Sequence, residues 1–326
     1  MRRGARARRA TRAAALLAAA VTTALVAGCT AGSGPGDDGR GAPKDAQHST
    51  APSATGPSAL VVKIDNAAAA RPHTGVDAAD VVYAEQVEGG LSRLIAVYAT
   101  RLPKTVGPVR SARESDLELL RQFDRPTLAF SGAQKKLLPL IDKAPLRAET
   151  PGNAADAYFR GSDKPAPHNL YLNPRRIVPE TPGKAALTTG FRYGTAPAGG
   201  TATASRTVRY PAARFGFTWS DSRERWLIGM DGTPATTADG ERMTAATVVV
   251  QYVKVRASSF RDFLGNNTPY TETVGSGKAQ VLRDGRAWDV HWKREKATDG
   301  TSFTTGDGTP VNFAEGQVWV VFAEAP

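Results

Sequence analysis

The chain has one cysteine, Cys29, among 326 residues, so no intramolecular disulfide framework holds it together. It has no acidic residue before Asp37. It has no uncharged apolar run longer than about fifteen residues, which is too short to span a bilayer comfortably. No serine stands in a Gly-x-Ser-x-Gly elbow. The four histidines, at 48, 73, 168 and 291, show no metal-ligand spacing. Gly275-Ser-Gly-Lys278 has the look of a phosphate loop, but Glu272 stands where the earlier glycine is needed and Ala279 where Ser or Thr should follow. The formal charge of +11 includes six arginines within the first twelve residues; without them 36 basic and 31 acidic residues remain, a net +5. No basic block is interleaved with aromatics, so nucleic acid is not an expected partner.

Those six arginines precede the uncharged run Ala13 to Ala27, which has the form of a secretory signal. It ends in Val26-Ala-Gly-Cys29, which resembles the bacterial lipobox. Residues 1–28 are therefore expected to be a lipoprotein signal peptide, with Cys29 lipidated, palmitate included, and the mature chain anchored to the extracytoplasmic face of the cell membrane. Arg8-Arg9 leaves export by the Sec or the twin-arginine route open. Residues 29–58 are Gly, Ser, Pro, Ala, Thr and Asp with hardly a large apolar side chain, a composition expected of a disordered tether.

At 41% hydrophobic and 22% charged residues, the chain as a whole has the balance of a globular protein of about two domains. The expected class is α+β, a mixed α/β N-terminal domain over residues 59–185 followed, after a linker at 186–207, by a smaller β-rich domain at 208–326. In the first region Leu60-Val-Val-Lys-Ile-Asp-Asn66 reads as a strand ending in a turn. Val81–Glu88 and Leu91–Thr100 read as a hairpin about Gly89-Gly90. A two-residue turn there sets Gln86 opposite Arg93 and Ala84 opposite Ile95, with Glu85 on the other face. Pro108 takes the chain out of the sheet. Ser111-x-x-Glu114 has capping-box form, with Ser115-x-x-Glu118 as a rival helix start. Thr127–Ser131 reads as a strand and 134–141 as a helix. In the second region, Asp-Gly pairs at 231, 239, 284 and 307 punctuate strand-like runs. All five tryptophans fall there, spaced as core and sheet-face residues rather than as a sugar platform.

The candidate chemistry lies between Glu85 and Arg113. On the first helix reading, Arg93, Arg110, Ser111 and Arg113 form an anion-binding cluster at a helix N-terminus, with Asp65, Asp80, Glu85 and Glu88 as supporting carboxylates. The competing reading is an ion-pair network in which acidic residues such as Glu114 and Asp116 satisfy the arginines themselves. His168-Asn-Leu-Tyr171, entered through Pro165 and Pro167, reads as a shaped loop or a polar turn into a strand.

Lys63-Ile-Asp-Asn66, Arg71-Pro-x-x-Gly75, Ala79-Asp80-Val-Val-Tyr83, Val87-Glu-Gly-Gly-x-Ser-Arg93 and Val106-Gly-Pro-Val-Arg-Ser-Ala-Arg113 resemble the N-terminal domain of the YerB-type lipoproteins of the bacterial envelope. Asp231-Gly, Ala246-Thr-Val-Val-Val, Gly275-Ser-Gly-Lys-Ala, Asp284-Gly-Arg and Gly316-Gln-Val-Trp319 are similar to their C-terminal domain. This resemblance implies an extracytoplasmic, membrane-anchored envelope lipoprotein with no established reaction; with the arginine cluster, the expected role is to bind an anionic ligand such as an envelope precursor, or a protein partner. A second resemblance, to the LytR-CpsA-Psr envelope phosphotransferases, matches Arg93 to their strand arginine and Arg110 or Arg113 to a later one. It implies a metal-assisted phosphotransferase or pyrophosphate-lipid-binding enzyme using a divalent cation. It departs where Leu94 and Ile95 replace the aspartate expected beside the strand arginine, leaving Asp65, Asp80 or Glu85 to hold the metal.

Overall fold

The computed structural model describes residues 40–41 and 58–325, apart from 263–264. Cys29, the segment before it and most of the tether lie outside the described residues.

An eleven-stranded sheet organises the fold. Its strands run, in spatial order, Thr201–Ala202, Arg286–Arg294, Gly275–Arg283, Thr247–Val253, Val318–Glu324, Val81–Gln86, Ser92–Tyr98, Leu60–Asp65, Thr127–Ala129 and Arg147–Glu149, with Ser302–Thr304 added against Arg286–Arg294. Val318–Glu324 is apolar at almost every position, as a strand covered on both faces requires. It pairs in parallel with Thr247–Val253 on one side and Val81–Gln86 on the other.

The C-terminal strand therefore closes a sheet begun in the first half. The expectation of a separate β-rich domain at 208–326 does not fit this topology, because its strands and those of the first half are hydrogen-bonded in one sheet. Nor does the expected linker run free. Thr301 donates its backbone N–H to Thr189 O at 2.7 Å, Phe313 to Arg192 O at 2.6 Å, and Phe191 packs against Phe303 and Phe313.

One face of the large sheet is covered by a second, five-stranded sheet built on Ser205–Tyr210, Ala213–Ser220 and Arg225–Met230. Their alternating pattern turns Val208, Tyr210, Phe215, Phe217, Trp226 and Ile228 inward, as a half-buried antiparallel sheet demands. The Tyr210 hydroxyl lies 2.7 Å from the Phe322 carbonyl and 3.1 Å from that of Ala84, joining both sheets at the seam between the halves. The other face carries Leu119, Leu120, Phe123, Phe130 and Ile141 over the first half and Trp288, Trp292, Phe303 and Phe313 over the second. Four of the five tryptophans are buried, as core residues.

Helix is scarcer than the α+β expectation held, and the fold is β-rich. The two α-helices among the described residues, Glu114–Leu119 and Leu138–Lys143, have six residues each. Asp-Gly punctuation is realised most clearly at 231–232 and 284–285, where both residues take positive φ, the conformation of a type I′ turn.

The hairpin differs from its expected register by one residue. Gly89 and Gly90 do take positive φ, at 68° and 71°, but Glu88–Gly90 form a 3-10 turn, and Val87 N–H reaches Leu91 O at 2.8 Å. The longer loop pairs Gln86 with Ser92 and Glu85 with Arg93. Glu85 thus shares a face with Arg93, and because Asp65 also pairs with Arg93, Asp65, Arg93 and Glu85 form a row across three strands.

Candidate functional site

The segment Val106 to Arg113 is laid between the end of strand Leu60–Asp65 and the hairpin of Tyr158–Arg160 with Leu170–Leu172. Asp65 N–H donates to Pro108 O at 2.9 Å and Arg110 N–H to Lys63 O at 2.8 Å, while Val109 N–H donates to Leu170 O at 2.6 Å. A Cβ at Gly107 would lie 2.7 Å from Tyr171 Cδ1 and 2.9 Å from Leu170 O, so glycine is what admits this close approach. The result brings Asp65, Arg110 and His168 to one corner.

Asp65 is the hub of that corner. Its Oδ2 accepts from His168 Nδ1 at 2.8 Å and lies 3.4 Å from Arg110 Nε, while Oδ1 accepts from Ala67 N–H at 3.2 Å. Burial pushes the carboxyl up, but the His168 hydrogen bond and the charges of Arg110 and Arg93 outweigh it and hold Asp65 well below the usual carboxylate range. His73 bonds the Asp65 carbonyl through Nε2 at 2.9 Å, and its burial lowers it to about 4, so it is neutral at physiological pH.

Behind the corner the charged groups pair with one another. Arg113 is buried, with Nη2 2.6 Å from Glu88 Oε2, and Glu88 Oε1 accepts from Thr268 Oγ1 at 2.7 Å. Burial would raise Glu88, but Arg113, with a smaller contribution from Arg93, lowers it to about 2. Arg93 Nη1 donates to the Ser111 carbonyl at 3.0 Å and Arg113 Nη1 to Ala112 O at 3.0 Å. Ser111 is itself buried, its Oγ 3.3 Å from Ser131 Oγ. Beneath the first helix, the fully buried Lys63 ammonium is shared between Glu85 Oε1 and Asp116 Oδ1, the latter at 2.6 Å. Burial and the nearby Asp116 raise Glu85 against the pull of Lys63.

Of the expected anion-binding set, Arg110 is therefore the member that borders solvent, its side chain 15% exposed, whereas Arg93, Ser111 and Arg113 are buried. Neither serine starts the helix. Arg113 is the N-cap, and its N–H donates to Asp116 Oδ2 at 2.7 Å, so a carboxylate of the helix itself occupies the terminus where a bound anion was expected. The structure brings Asp65, Glu85 and Glu88 to the arginines. Asp80 sits at the far end of its strand, accepting from the backbone N–H groups of Ala99 and Thr100. Among the described residues no group of three or more His, Cys, Asp or Glu side chains is placed to hold a metal ion.

Lys63, His73, Glu118 and Arg294 were not among the expected site residues. Lys63 announced itself only as a cation inside an apolar strand. Glu118 accepts from Tyr270 OH and from Thr273 N–H, and buried Arg294 donates to the Glu118 and Leu119 carbonyls, capping the helix from the second half of the chain.

Residues 46–187 match the N-terminal domain, and residues 206–320 the C-terminal domain, of a family described as a protein of unknown function, DUF3048. The chain is 24% identical over 285 residues to the "Putative lipoprotein YerB" of Bacillus subtilis, covering 80% of each protein. It also resembles the crystal structure of YerB from Bacillus subtilis, with a TM-score of 0.69 at 20% identity over 82% of this chain and 91% of that one. With both domains matched over most of its length, the chain belongs to the DUF3048 family.

Proposed function

We propose that the protein is a lipid-anchored lipoprotein on the extracytoplasmic face of the cell envelope, and that it binds an anionic ligand where Arg110 and His168 meet over Asp65. The observation that carries the ligand reading is that Arg110 and His168, 15% and 22% exposed, come together at this corner. Asp65 holds both against the strand end, with His168 Nδ1 at 2.8 Å and Arg110 Nε at 3.4 Å. A guanidinium and an imidazole side by side at the surface suit a phosphate or carboxylate. The anchoring reading rests on Cys29 and its flanking sequence, together with the lipoprotein name of the relative.

Titration calorimetry with inorganic pyrophosphate tests the first part. Wild type should bind, and Arg110→Gln should bind at least about tenfold more weakly, the loss of one charge-assisted contact. Equal affinities for both, or no binding by wild type, would count against it. For the anchor, Cys29→Ala should release the protein from washed membranes or leave it unprocessed. A variant that stays processed and membrane-bound would remove that part of the reading.

A further inference from the structure

Among the described residues, the strand Ser205–Tyr210 is an outer strand of the five-stranded sheet and pairs only with Ala213–Ser220. The turn Pro211-Ala212 joins the two, and Trp219 N–H donates to Ala204 O at 2.8 Å. These two ends fix the phase of the ladder, in which Arg206, Val208 and Tyr210 exchange hydrogen bonds with Phe217, Phe215 and Ala213. The N–H and C=O groups of Ser205, Thr207 and Arg209 therefore point away from the sheet, and none has a partner among the described residues. All three residues are exposed.

An open edge is a template for another strand, and the charges beside this one decide which. Arg209 stands directly opposite Arg214, a like-charge pair that destabilises a hairpin unless something offsets it. Neither guanidinium makes a hydrogen bond or an ion pair among the described residues. Asp231 Oδ1 accepts the Arg214 N–H at 2.7 Å, but its Oδ2 is bound by Arg71 at 2.5 Å. The turn touches the Glu88–Gly90 loop, through Ala212 N–H to Gly90 O at 2.9 Å, but Glu88 is buried and paired with Arg113. Glu324 alternates with Ala323 onto the opposite face of the large sheet. We propose that the edge Ser205–Arg209 binds an extended acidic segment of another protein, which adds a strand to this sheet and sets carboxylates at alternate positions against Arg209 and Arg214.

Two other occupants fit less well. A second copy of the chain, laying its own edge antiparallel on this one, would bring Ser205, Thr207 and Arg209 but no carboxylate, and both arginines would stay unpaired. The tether of the same chain carries Asp37 and Asp38. Its described residues Arg40 and Gly41 are engaged elsewhere, paired with Gln134 and Ala133, and Ala133 packs on the opposite face of the large sheet from Val208 and Tyr210. An acidic strand from another protein meets both requirements, main-chain pairing along the edge and carboxylates over the arginines. None of these groups belongs to the corner of Arg110 and His168, so the edge is open whether or not an anion binds there.

Fluorescence anisotropy of the full chain with two labelled peptides, Thr-Glu-Val-Glu-Val-Glu-Thr and its counterpart Thr-Lys-Val-Lys-Val-Lys-Thr, tests the pairing and the charge separately. Wild type should bind the acidic peptide at least about tenfold more tightly than the basic one, and Arg209→Glu should remove or reverse that preference. The acidic peptide with its backbone nitrogens methylated cannot donate to the edge and should not bind. Thr207→Pro should block binding and keep the thermal transition, since proline is tolerated on an edge strand whose N–H faces solvent. No binding of the acidic peptide at about 1 mM, or equal binding of its methylated form, would overturn the proposal. Sedimentation of the chain alone tests the second copy. A monomer is expected, and a dimer that Thr207→Pro dissolves would put a second copy on the edge and overturn the acidic partner.

Discussion

Lys63→Met should destabilise the fold by about 3–5 kcal/mol, the usual cost of removing one partner from a buried ion pair. The ammonium is fully buried and stands between Glu85 and Asp116. Methionine fills much of the same volume, so packing is nearly conserved and the charge effect dominates. Without the cation, two buried carboxylates face each other. Asp116 keeps the Arg113 N–H and Glu85 keeps Ser115 Oγ at 2.8 Å, but neither contact replaces the ammonium. Urea unfolding of the two proteins gives the difference directly, and equal midpoints at equal slopes would show that the triad adds no net stability.

Glu85→Gln should behave differently, because it leaves one ammonium with one carboxylate. Glu85 is raised above its ordinary 4.5, so the folded chain holds that proton more tightly than the unfolded chain does. Its contribution is complete below 4.5 and is lost as pH rises through the raised value. The glutamine variant has no such loss, and its stability relative to wild type should improve as pH rises above 4.5. Glu88 has the opposite sign. Lowered from 4.5 to about 2, it contributes above 4.5 and the contribution is lost as pH falls toward 2, in the same direction as Asp65. Acid unfolding of wild type should therefore draw on Glu88 and Asp65, not on Glu85.

The sequence made the arginine cluster visible and left its internal order hidden. Gly89-Gly90 predicts positive φ whatever the loop length, but a two-residue turn and the observed 3-10 turn from Glu88 differ by one residue in register. Since strand side chains alternate, that one residue moved Glu85 to the face of Arg93. Ser111-x-x-Glu114 fits a capping box, yet Asp116 won the terminus because Ser111 is drawn into the sheet edge, with its carbonyl accepting Arg93. His168 reads as part of a shaped loop or of a polar turn, with no partner named. What makes it part of the corner is Asp65, 103 positions away, and nothing local encodes that contact. The Gly-, Ala- and Pro-rich stretch near 186–207 marks where the two matched domains meet, but composition carries no information about which strands pair across it.

Residues 208–326 produced alone should fail to fold cooperatively, and this failure follows from those cross-pairings. In the intact chain Val318–Glu324 is hydrogen-bonded along both edges, to Thr247–Val253 and to Val81–Gln86. Removing the first half opens one edge of a strand that reads Val-Trp-Val-Val-Phe, an exposed apolar edge of the kind that associates with other chains. The loss extends beyond that edge. Tyr210 loses the Ala84 carbonyl, Arg294 loses the helix end it caps, and Thr273 loses Glu118. The five-stranded sheet, packed partly on Leu60, Val62, Ile64 and Ala84, loses part of the surface that buries it. The isolated fragment should therefore be aggregated or lack a sharp thermal transition. Co-expressed with residues 58–187, it should become soluble and co-purify, since the same strands can pair without a covalent link. A monomeric 208–326 fragment with a cooperative transition near that of the full chain would show that the second half holds its own fold, and that the shared sheet joins two units already formed.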